Sequence, residues 1–276
     1  MRGSGRMLRD IRTVGIVAIG NELLDGKVLD TNSNWMEIRL LAIGLEIKRL
    51  VSVRDEIEEI GHAVDFVRET CDVIITSGGL GPTHDDMTLE ALAKHLNLKL
   101  EENHEAFEII KRQYKTLHEN GIVQAPDMTP SRRKMAQLPE GSNALDNRVG
   151  GAPGVMIQDG PTTIFCLPGV PSELKFVFED SVLPWLLTNV SQKFHEQVIE
   201  FGMKDESVFA PAIDTVMKKV PGVWIKSMPK TYGTSKTLRV WISVRGEDNS
   251  KLKQLVNKAI KELEKATGIK SRTVTS

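Results

Sequence analysis

Short apolar segments alternate with longer amphipathic segments over the first hundred residues. The apolar segments are TVGIVAIG (13–20), LEIKRLVSV (45–53) and DVIIT (72–76), and their Val and Ile content and spacing are typical of β-strands. The intervening segments repeat apolar residues every three or four positions, as a helix packed on one side does. This βαβαβα order predicts a parallel, doubly wound sheet with right-handed crossovers.

The next part of the chain is less regular. A helix is predicted over 103–119, and residues 120–154 are then interrupted by several prolines and glycines, which is typical of a lid or an insertion. GVMIQDG and TTIFCLPG (154–169) predict an antiparallel hairpin with Asp159 and Gly160 in its turn. A helix that begins near Pro171 completes this half of the chain.

A second, smaller domain is predicted after the sequence TNVSQK (188–193). The patterns there are, in chain order, a strand, a helix, two strands and a helix. We therefore predict an α/β domain over 13–189 with a three-layer, doubly wound, mostly parallel sheet. A small α+β domain of βαββα order follows over 193–268.

Composition restricts the classes of protein to consider. The chain has 276 residues, 40% of them apolar, and no uninterrupted apolar run long enough for a membrane span. The start MRGSGRMLRDIRT has no apolar core of a signal peptide, so we expect a cytoplasmic protein without a membrane partner. Two cysteines and no paired histidine motif argue against a zinc site.

The net charge of −1 conceals an asymmetry between the two halves. Residues 1–189 have 20 Lys or Arg against 28 Asp or Glu, a net charge of −8, whereas residues 190–276 have 16 against 9, a net charge of +7. A basic domain binds nucleic acid or phosphate in some proteins. It is more often a solvated surface, and we keep both interpretations.

Three loops with glycine or proline beside a carboxylate follow predicted strands of the first domain. They are GNELLDG (20–26), SGGLGPTHDD (77–86) and LPGVPSE (167–173). In an open parallel sheet, ligands bind beyond the carboxyl ends of the strands, where the strand order reverses. We expect the three loops to meet at that edge.

The loop at 77–86 has the strongest chemical signal. Glycines let backbone N–H groups approach an anion, so Gly78, Gly79 and Gly81 are candidates for a phosphate site in front of a helix N-terminus. Asp85 and Asp86 are candidate ligands of Mg²⁺ or Mn²⁺, which prefer oxygen donors. Adjacent carboxylates on a helix diverge, so if a metal binds, one of the pair takes the cation and the other caps the helix or orients a water. Thr83 and Asp86 have the spacing of a capping box, and the simpler alternative is that both carboxylates only offset the helix dipole.

Other candidates lie in the neighbouring motifs, and each has a simpler structural alternative. Glu22 follows the first strand, Asn32 can contact a ligand or simply begin a helix, and Gly169 shapes a turn. Ser172 and Glu173 are also helix-capping types, and SRRK (131–134) either binds a diphosphate through Arg133 and Lys134 or is a solvated charge run.

These motifs together resemble one family. TSGGLGPTHDDMT, GNELLDGKVLDTN and LPGVPSEL, in this order over residues 14–187, closely resemble the molybdopterin-binding-like domain of the CinA family, which is related to MogA and MoaB. FGMKDESVFAPAI and the βαββα order resemble the KH-like domain that follows in that family. The nicotinamide-mononucleotide deamidase domain of the family has no counterpart in the sequence, so we expect no deamidase activity.

The resemblance implies a hydrolase that needs a divalent cation (Mg²⁺, Mn²⁺ or Co²⁺) and splits a nucleoside diphosphate sugar or a dinucleotide. The leading substrate is ADP-ribose, which would give AMP and ribose 5-phosphate, and FAD or another dinucleotide is next. It assigns the cation to Asp85 and Asp86, the phosphate to the glycines with Thr83, and substrate contacts to Glu22 and Asn147. Lys134 or Arg133 would stabilise developing charge. Met135 replaces the glutamine that is usual in the family.

Two alternatives remain open. One is a molybdopterin-binding or adenylyl-transfer protein of the MogA or MoaB type, and the other is a nucleotide-binding module without enzymatic activity. We expect a small-molecule nucleotide as the partner and a possible homodimer. Nucleic acid is not expected, because residues 190–276 contain no G-x-x-G loop with which a KH domain binds RNA.

Overall fold

The computed structural model describes residues 10–203, 205–228 and 237–274. The chain forms two compact units, one of residues up to 41 with 45–190, and one of residues 42–44 with 191–276. Among the described residues, no helix combines the length and the apolarity needed to cross a membrane.

The first unit is built on a six-stranded sheet with the order β2-β1-β3-β8-β7-β6. Its strands are β1 (Thr13–Ile19), β2 (Glu46–Val53), β3 (Val73–Ser77), β6 (Asn143–Leu145), β7 (Gly154–Asp159) and β8 (Thr162–Leu167). The first four strands in the order are parallel, β7 is antiparallel to β8, and β6 is antiparallel to β7, so β7 alone of the six runs in the opposite direction. The predicted mostly parallel sheet is therefore confirmed, and the strand order reverses at β1.

Helices cover both faces of this sheet. They are α1 (Asn21–Leu24), α2 (Thr31–Ala42), α3 (Ile57–Arg68), α4 (Thr88–His95), α5 (His104–Glu119), α6 (Pro130–Lys134), α7 (Pro171–Val177) and α8 (Leu183–Asn189). Successive strand residues point to opposite faces, so Val17 and Ile74 pack with α3, α4 and α5 in one core. The opposite face is covered by α2, whose Trp35 meets Phe178 edge to face at 5.2 Å.

The segment rich in proline and glycine is not the lid or insertion that the sequence predicts. It contributes α6 and β6, and its β5 (Gln137–Pro139) pairs with β4 (Leu100–Glu102). Met135, Ala136 and Leu138 are buried in the core of the first unit. The prolines do not prevent this packing, because Pro130 begins a helix and Pro139 ends a short strand of a two-stranded sheet, positions that need no backbone N–H.

The hairpin of β7 and β8 differs in detail from the prediction. Asp159 pairs with Thr162 as the last pair of the ladder, so the two turn residues are Gly160 and Pro161 rather than Asp159 and Gly160. The predicted helix after Pro171 is present as α7 and α8, and they are joined by a π-helical turn over Phe178–Val182.

The second unit is a four-stranded antiparallel sheet with two helices. Its elements are β9 (Lys193–Phe201), α9 (Glu206–Lys219), β10 (Val223–Met228), β11 (Leu238–Gly246), α10 (Asn249–Thr267) and β12 (Ser271–Thr273). The strand order is β10-β11-β9-β12. The βαββα order matches the prediction, and β12 was not predicted. The KH-like assignment stays a prediction, and Lys204 of its motif lies outside the described residues.

Candidate functional site

A cavity of about 540 Å³ lies at the carboxyl ends of β1, β3 and β8. All three loops that the sequence singles out contribute to its wall. The lining residues are Ile19, Gly20, Glu22, Asp55, Gly78, Gly79, Leu80, Gly81, Pro82, Asp85, Asp86, Tyr114, Met135, Gly151, Ala152, Pro168, Gly169, Val170 and Glu173. Five carboxyl groups therefore surround one cavity.

Two glycines of the loop after β3 are required by the backbone itself. Gly78 has φ +113° and Gly79 has φ +69°, a range that side chains disfavour. A Cβ at Gly78 would lie 2.2 Å from the carbonyl oxygen of Ile19, and one at Gly79 would lie 2.2 Å from Oγ1 of Thr88. Among the described residues, none accepts a hydrogen bond from the N–H groups of Gly79 or Gly81, so both donors are available to an anion.

Asp85 and Asp86 belong to this loop and not to the helix that follows. Helix α4 begins at Thr88 after the N-cap Met87, so the predicted capping box of Thr83 and Asp86 is wrong. The expectation that the two carboxylates diverge is wrong for the same reason. Both contact the Thr83 hydroxyl, and the Thr83 N–H donates to Oδ2 of Asp86 at 2.8 Å. The turn before the helix brings the carboxylates together.

The environment of Asp85 favours its ionised form. The hydrogen bond with Thr83, first, and then a backbone N–H and the charges of His84 and Lys134 lower the pKa of Asp85. Its side chain is 53% exposed. Asp85 is therefore an accessible anion at neutral pH, as a cation ligand must be.

Asp55 is a site residue that the sequence interpretation missed. It does not cap α3, whose N-cap is Glu56. Oδ2 of Asp55 accepts a hydrogen bond from the Asn21 N–H at 2.8 Å. Burial raises the pKa of Asp55, and the charges of three other carboxylates of the cavity (Glu22, Asp85 and Asp86) raise it further, against the effect of the Asn21 bond.

The sequence did contain a signal for Asp55. It lies two residues beyond the end of β2, and β2 is the parallel neighbour of β1 in the sheet. Its position after a parallel strand therefore placed it at the same edge as the three loops. Tyr114 and Met135, which also line the cavity, had no such signal, because they come from α5 and from the residue after α6.

Glu173, which lines the cavity and is partly buried, is paired with the buried Asn147 behind it. Asn147 has no exposed surface, and its Nδ2 donates to the carbonyl of Ala152 and to Oε2 of Glu173, both at 2.7 Å. Its Oδ1 accepts from the N–H groups of Val149 and Gly150 at 2.9 and 3.0 Å. Burial raises the pKa of Glu173, and the bond from Asn147 opposes this. Asn147 therefore positions Glu173 and a loop, and its amide has no free face for a ligand.

The remaining predicted residues lie around the cavity rather than in its wall. Lys134 donates from Nζ to the carbonyl of Thr83. Asn32 donates from Nδ2 to the carbonyl of Gly169 at 2.7 Å and is nearly buried. Ser172 is exposed in the first turn of α7.

Arg133 points to a different partner. It pairs with Glu102 at 3.3 Å, and its guanidinium lies 5.2 Å from the ring centre of Phe107. Neither Arg133 nor Lys134 lines the cavity, so its described wall has carboxylates without a basic side chain. An anionic ligand at this wall would meet like charge unless a cation came with it.

The carboxylates fit a hydrated cation better than a fully protein-bound one. Within the described ranges, no three His, Cys, Asp or Glu side chains are close enough to hold a metal ion by themselves. Mg²⁺ commonly uses one or two carboxylates and completes its shell with water and substrate phosphates. Asp85 and Asp86, held together by Thr83, supply oxygen donors of that kind.

Comparison with known proteins gives the family. The family described as "Probable molybdopterin binding domain" matches residues 15–188. A protein of Pyrobaculum arsenaticum is 35% identical over 264 residues, which are 94% of this chain and 97% of that relative. Protein PH0439 of Pyrococcus horikoshii is 36% identical over 258 residues, 93% of this chain and 96% of that relative.

A solved structure agrees with this assignment. The crystal structure of the protein CinA from Thermoplasma acidophilum has a TM-score of 0.58 and 34% identity, and the match covers 63% of this chain and 98% of that one. The sheet order and the meeting of the three loops at one edge are consistent with the family that the comparisons indicate. The chain belongs to the molybdopterin-binding-domain family, and it is CinA-like within it.

Proposed function

We propose that the cavity of the first unit binds a phosphate-bearing nucleotide together with a divalent cation, and that it hydrolyses a phosphoric anhydride, with ADP-ribose as the leading substrate. One observation supports this most directly. Five carboxyl groups and a loop with free N–H donors surround the same cavity.

Different residues of the loop after β3 would bind the phosphate and the cation. The N–H groups of Gly79 and Gly81 are donors for phosphate oxygens, as in other glycine-rich anion sites. The carboxylates of Asp85 and Asp86 would hold the cation, and Thr83 keeps them oriented through its hydroxyl and its N–H. Lys134 supports this arrangement by anchoring the carbonyl of Thr83.

A cation bound there would supply charge neutralisation at the attacked phosphorus and polarisation of its oxygens. Asp55 is a candidate proton acceptor, because burial and the neighbouring carboxylates raise its pKa above that of an ordinary Asp. Glu173 is a second such group, since burial also raises its pKa. The wall would exclude bulk water through Met135, Ala152 and Leu80, which are nearly buried.

A second candidate function is supported by the family match. The family covering residues 15–188 is described by molybdopterin binding, and this favours a pterin ligand or adenylyl transfer over hydrolysis. The same glycine loop and cation would serve the phosphate of such a ligand. The carboxylates favour the first candidate and the comparisons favour the second, so the experiment must separate them.

The test is incubation of the purified protein with ADP-ribose and Mg²⁺, Mn²⁺ or Co²⁺, followed by chromatography of AMP. Asp85→Asn and Asp86→Asn should each reduce AMP release by about 100-fold or more, because the loss of cation stabilisation costs several kcal/mol of barrier. Asp127→Asn is the matched control, since Asp127 is exposed and does not line the cavity.

Three outcomes discriminate between the candidates. AMP release that is lost in both Asp variants and retained in the control supports hydrolysis. No release with any cation, together with tight binding of molybdopterin, supports the second candidate. AMP release that survives both substitutions contradicts the assignment of the cation to this loop.

A further inference from the structure

Among the described residues of the second unit, helices pack on only one face of the sheet. Its core is formed by α9 and α10 packed on alternate strand residues such as Ile225, Val240 and Ile242. The residues between them point to the opposite face because successive strand residues alternate. That face carries Trp224 on β10, Trp241 on β11 and Phe194 on β9, and none of the three belongs to the core.

The aromatic rings on this face are accessible from solvent. Trp224 is 55% exposed, although a residue of its size is usually covered in a folded domain. Trp241 and Phe194 are partly exposed. Trp241 donates from Nε1 to Oε2 of Glu196 at 2.6 Å, so its ring is held in position by a neighbour on the next strand.

The strand register brings the two tryptophans next to each other. Trp224 lies opposite Ser243, and Lys226 lies opposite Trp241. Trp224 and Trp241 are therefore diagonal neighbours, and such neighbours have backbones about 7–8 Å apart. This spacing suits a flat ring that stacks on one indole or lies between both.

Positive charge surrounds these rings. Lys226 and Arg239 lie on the same face as the tryptophans, and the guanidinium of Arg245 lies 4.9 Å from the ring centre of Phe194. Glu196 and Glu200 are the acidic residues of the face, and Glu200 lies 3.6 Å from Arg239. These basic residues are part of the excess of positive charge in residues 190–276, which have 16 Lys or Arg and 9 Asp or Glu.

We propose that this open sheet face binds single-stranded RNA, whose bases stack on Trp224 and Trp241 while Lys226, Arg239 and Arg245 contact the phosphates. Four-stranded sheets with aromatic residues on the open face bind RNA in this way, and the mode needs no G-x-x-G loop. The expectation of no nucleic acid rested on that missing loop. Stacking accepts every base, so the preference among sequences is weak.

A protein surface is a less suitable occupant. Lys and Glu are depleted in the cores of protein interfaces, whereas Lys226, Glu196 and Glu200 lie among the rings on this face. Exposed indoles beside lysine and arginine match the combination of flat bases and phosphate charge in a single strand. The charge of the face therefore favours RNA over a second copy of the chain.

The test is fluorescence anisotropy of a labelled, unstructured 12-mer RNA titrated with the full chain at 50 mM salt. Trp224→Ala and Trp241→Ala should each weaken binding by about 5- to 150-fold, the effect of losing one stacked base. Trp224→Phe should restore most of the affinity, because it keeps a ring. Raising the salt to 200 mM should weaken binding of the unsubstituted protein by about 20-fold if three phosphates are contacted.

A matched charge control separates local contacts from net charge. Lys226→Ala should weaken binding, whereas Lys261→Ala should not, because Lys261 lies on α10, which covers the other face of the sheet. Circular dichroism checks that each variant is folded. Lack of RNA binding at 50 mM salt, or equal losses in both lysine variants, overturns the proposal. So does a Trp224→Ala variant that changes only the oligomeric state in sedimentation, which would assign the face to self-association.

Discussion

Replacement of Asn147 by alanine tests whether this residue is structural. The resemblance to the CinA family assigns Asn147 to substrate contact, but its amide makes four hydrogen bonds within the protein and has no exposed surface. At about 1 kcal/mol for each bond, Asn147→Ala should lower the free energy of unfolding of the first unit by about 4 kcal/mol. This is a large fraction of the stability of a domain.

Differential scanning calorimetry is the assay, because the two units are compact by themselves and each can show its own transition. Asn143→Ala is the matched control, since Asn143 is exposed on β6 in the same segment and should change the transition little. The transition of the second unit should not move in either variant.

A ligand role would give a different result. If Asn147→Ala left the stability within about 1 kcal/mol of the unsubstituted protein and removed ligand binding, the structural interpretation would be refuted. We expect instead that Asn147→Ala lowers the free energy of unfolding. Any loss of ligand binding would then result from displacement of Glu173, which Asn147 positions. The loss of the Asn147 bond should also raise the pKa of Glu173 further, because that bond is what opposes the effect of burial.

Three further predictions concern the glycine loop, Asp55 and Lys134. Gly79→Ala should cost about 1–3 kcal/mol in urea unfolding through strain and contact with Thr88, and Gly26→Ala, at φ +66° in open space, should cost less. Asp55→Asn should stabilise the cation-free protein at pH 7. The pKa of Asp55 is raised in the folded state, so the ionised carboxyl lowers the free energy of unfolding at pH 7. Below the ordinary pKa of 3.8 the carboxyl is protonated in both states, and the difference in the free energy of unfolding between the variant and the unsubstituted protein should disappear. Lys134→Met should weaken Mn²⁺ binding, measured by electron paramagnetic resonance, because the loop loses the bond that anchors the Thr83 carbonyl. Removal of the Lys134 charge would by itself favour a cation, and we expect this effect to be the smaller one. Unchanged Mn²⁺ binding would show that Thr83 needs no anchor.

Local patterns predicted the framework of the first unit well. The apolar runs gave β1, β2 and β3 close to their observed bounds, and the helix over 103–119 is α5 at His104–Glu119. Asn103 caps that helix by accepting the Ala106 N–H at 3.0 Å, an interaction within four residues of the chain. Such short-range signals are read from the sequence because their partners are neighbours along the chain.

Errors arose where a local pattern had two physical solutions. Thr83 and Asp86 have the spacing of a capping box, yet the same spacing closes a turn before the helix. The segment with prolines was expected outside the core, but its apolar residues between the prolines had a place to pack.

The sequence by itself predicted that the three loops meet, because loops that follow parallel strands emerge at one edge of a sheet. It also placed Gly78 and Gly79 in the loop after β3, where both have a positive φ that disfavours other residues. Only the tertiary structure decided that Asp55 faces the same cavity, that Asn147 is buried against Glu173, and that Trp224 and Trp241 share an open face. These relations join residues that are 17 to more than 30 positions apart in the chain, and their geometry depends on strand order and register, which hydrophobic periodicity does not encode.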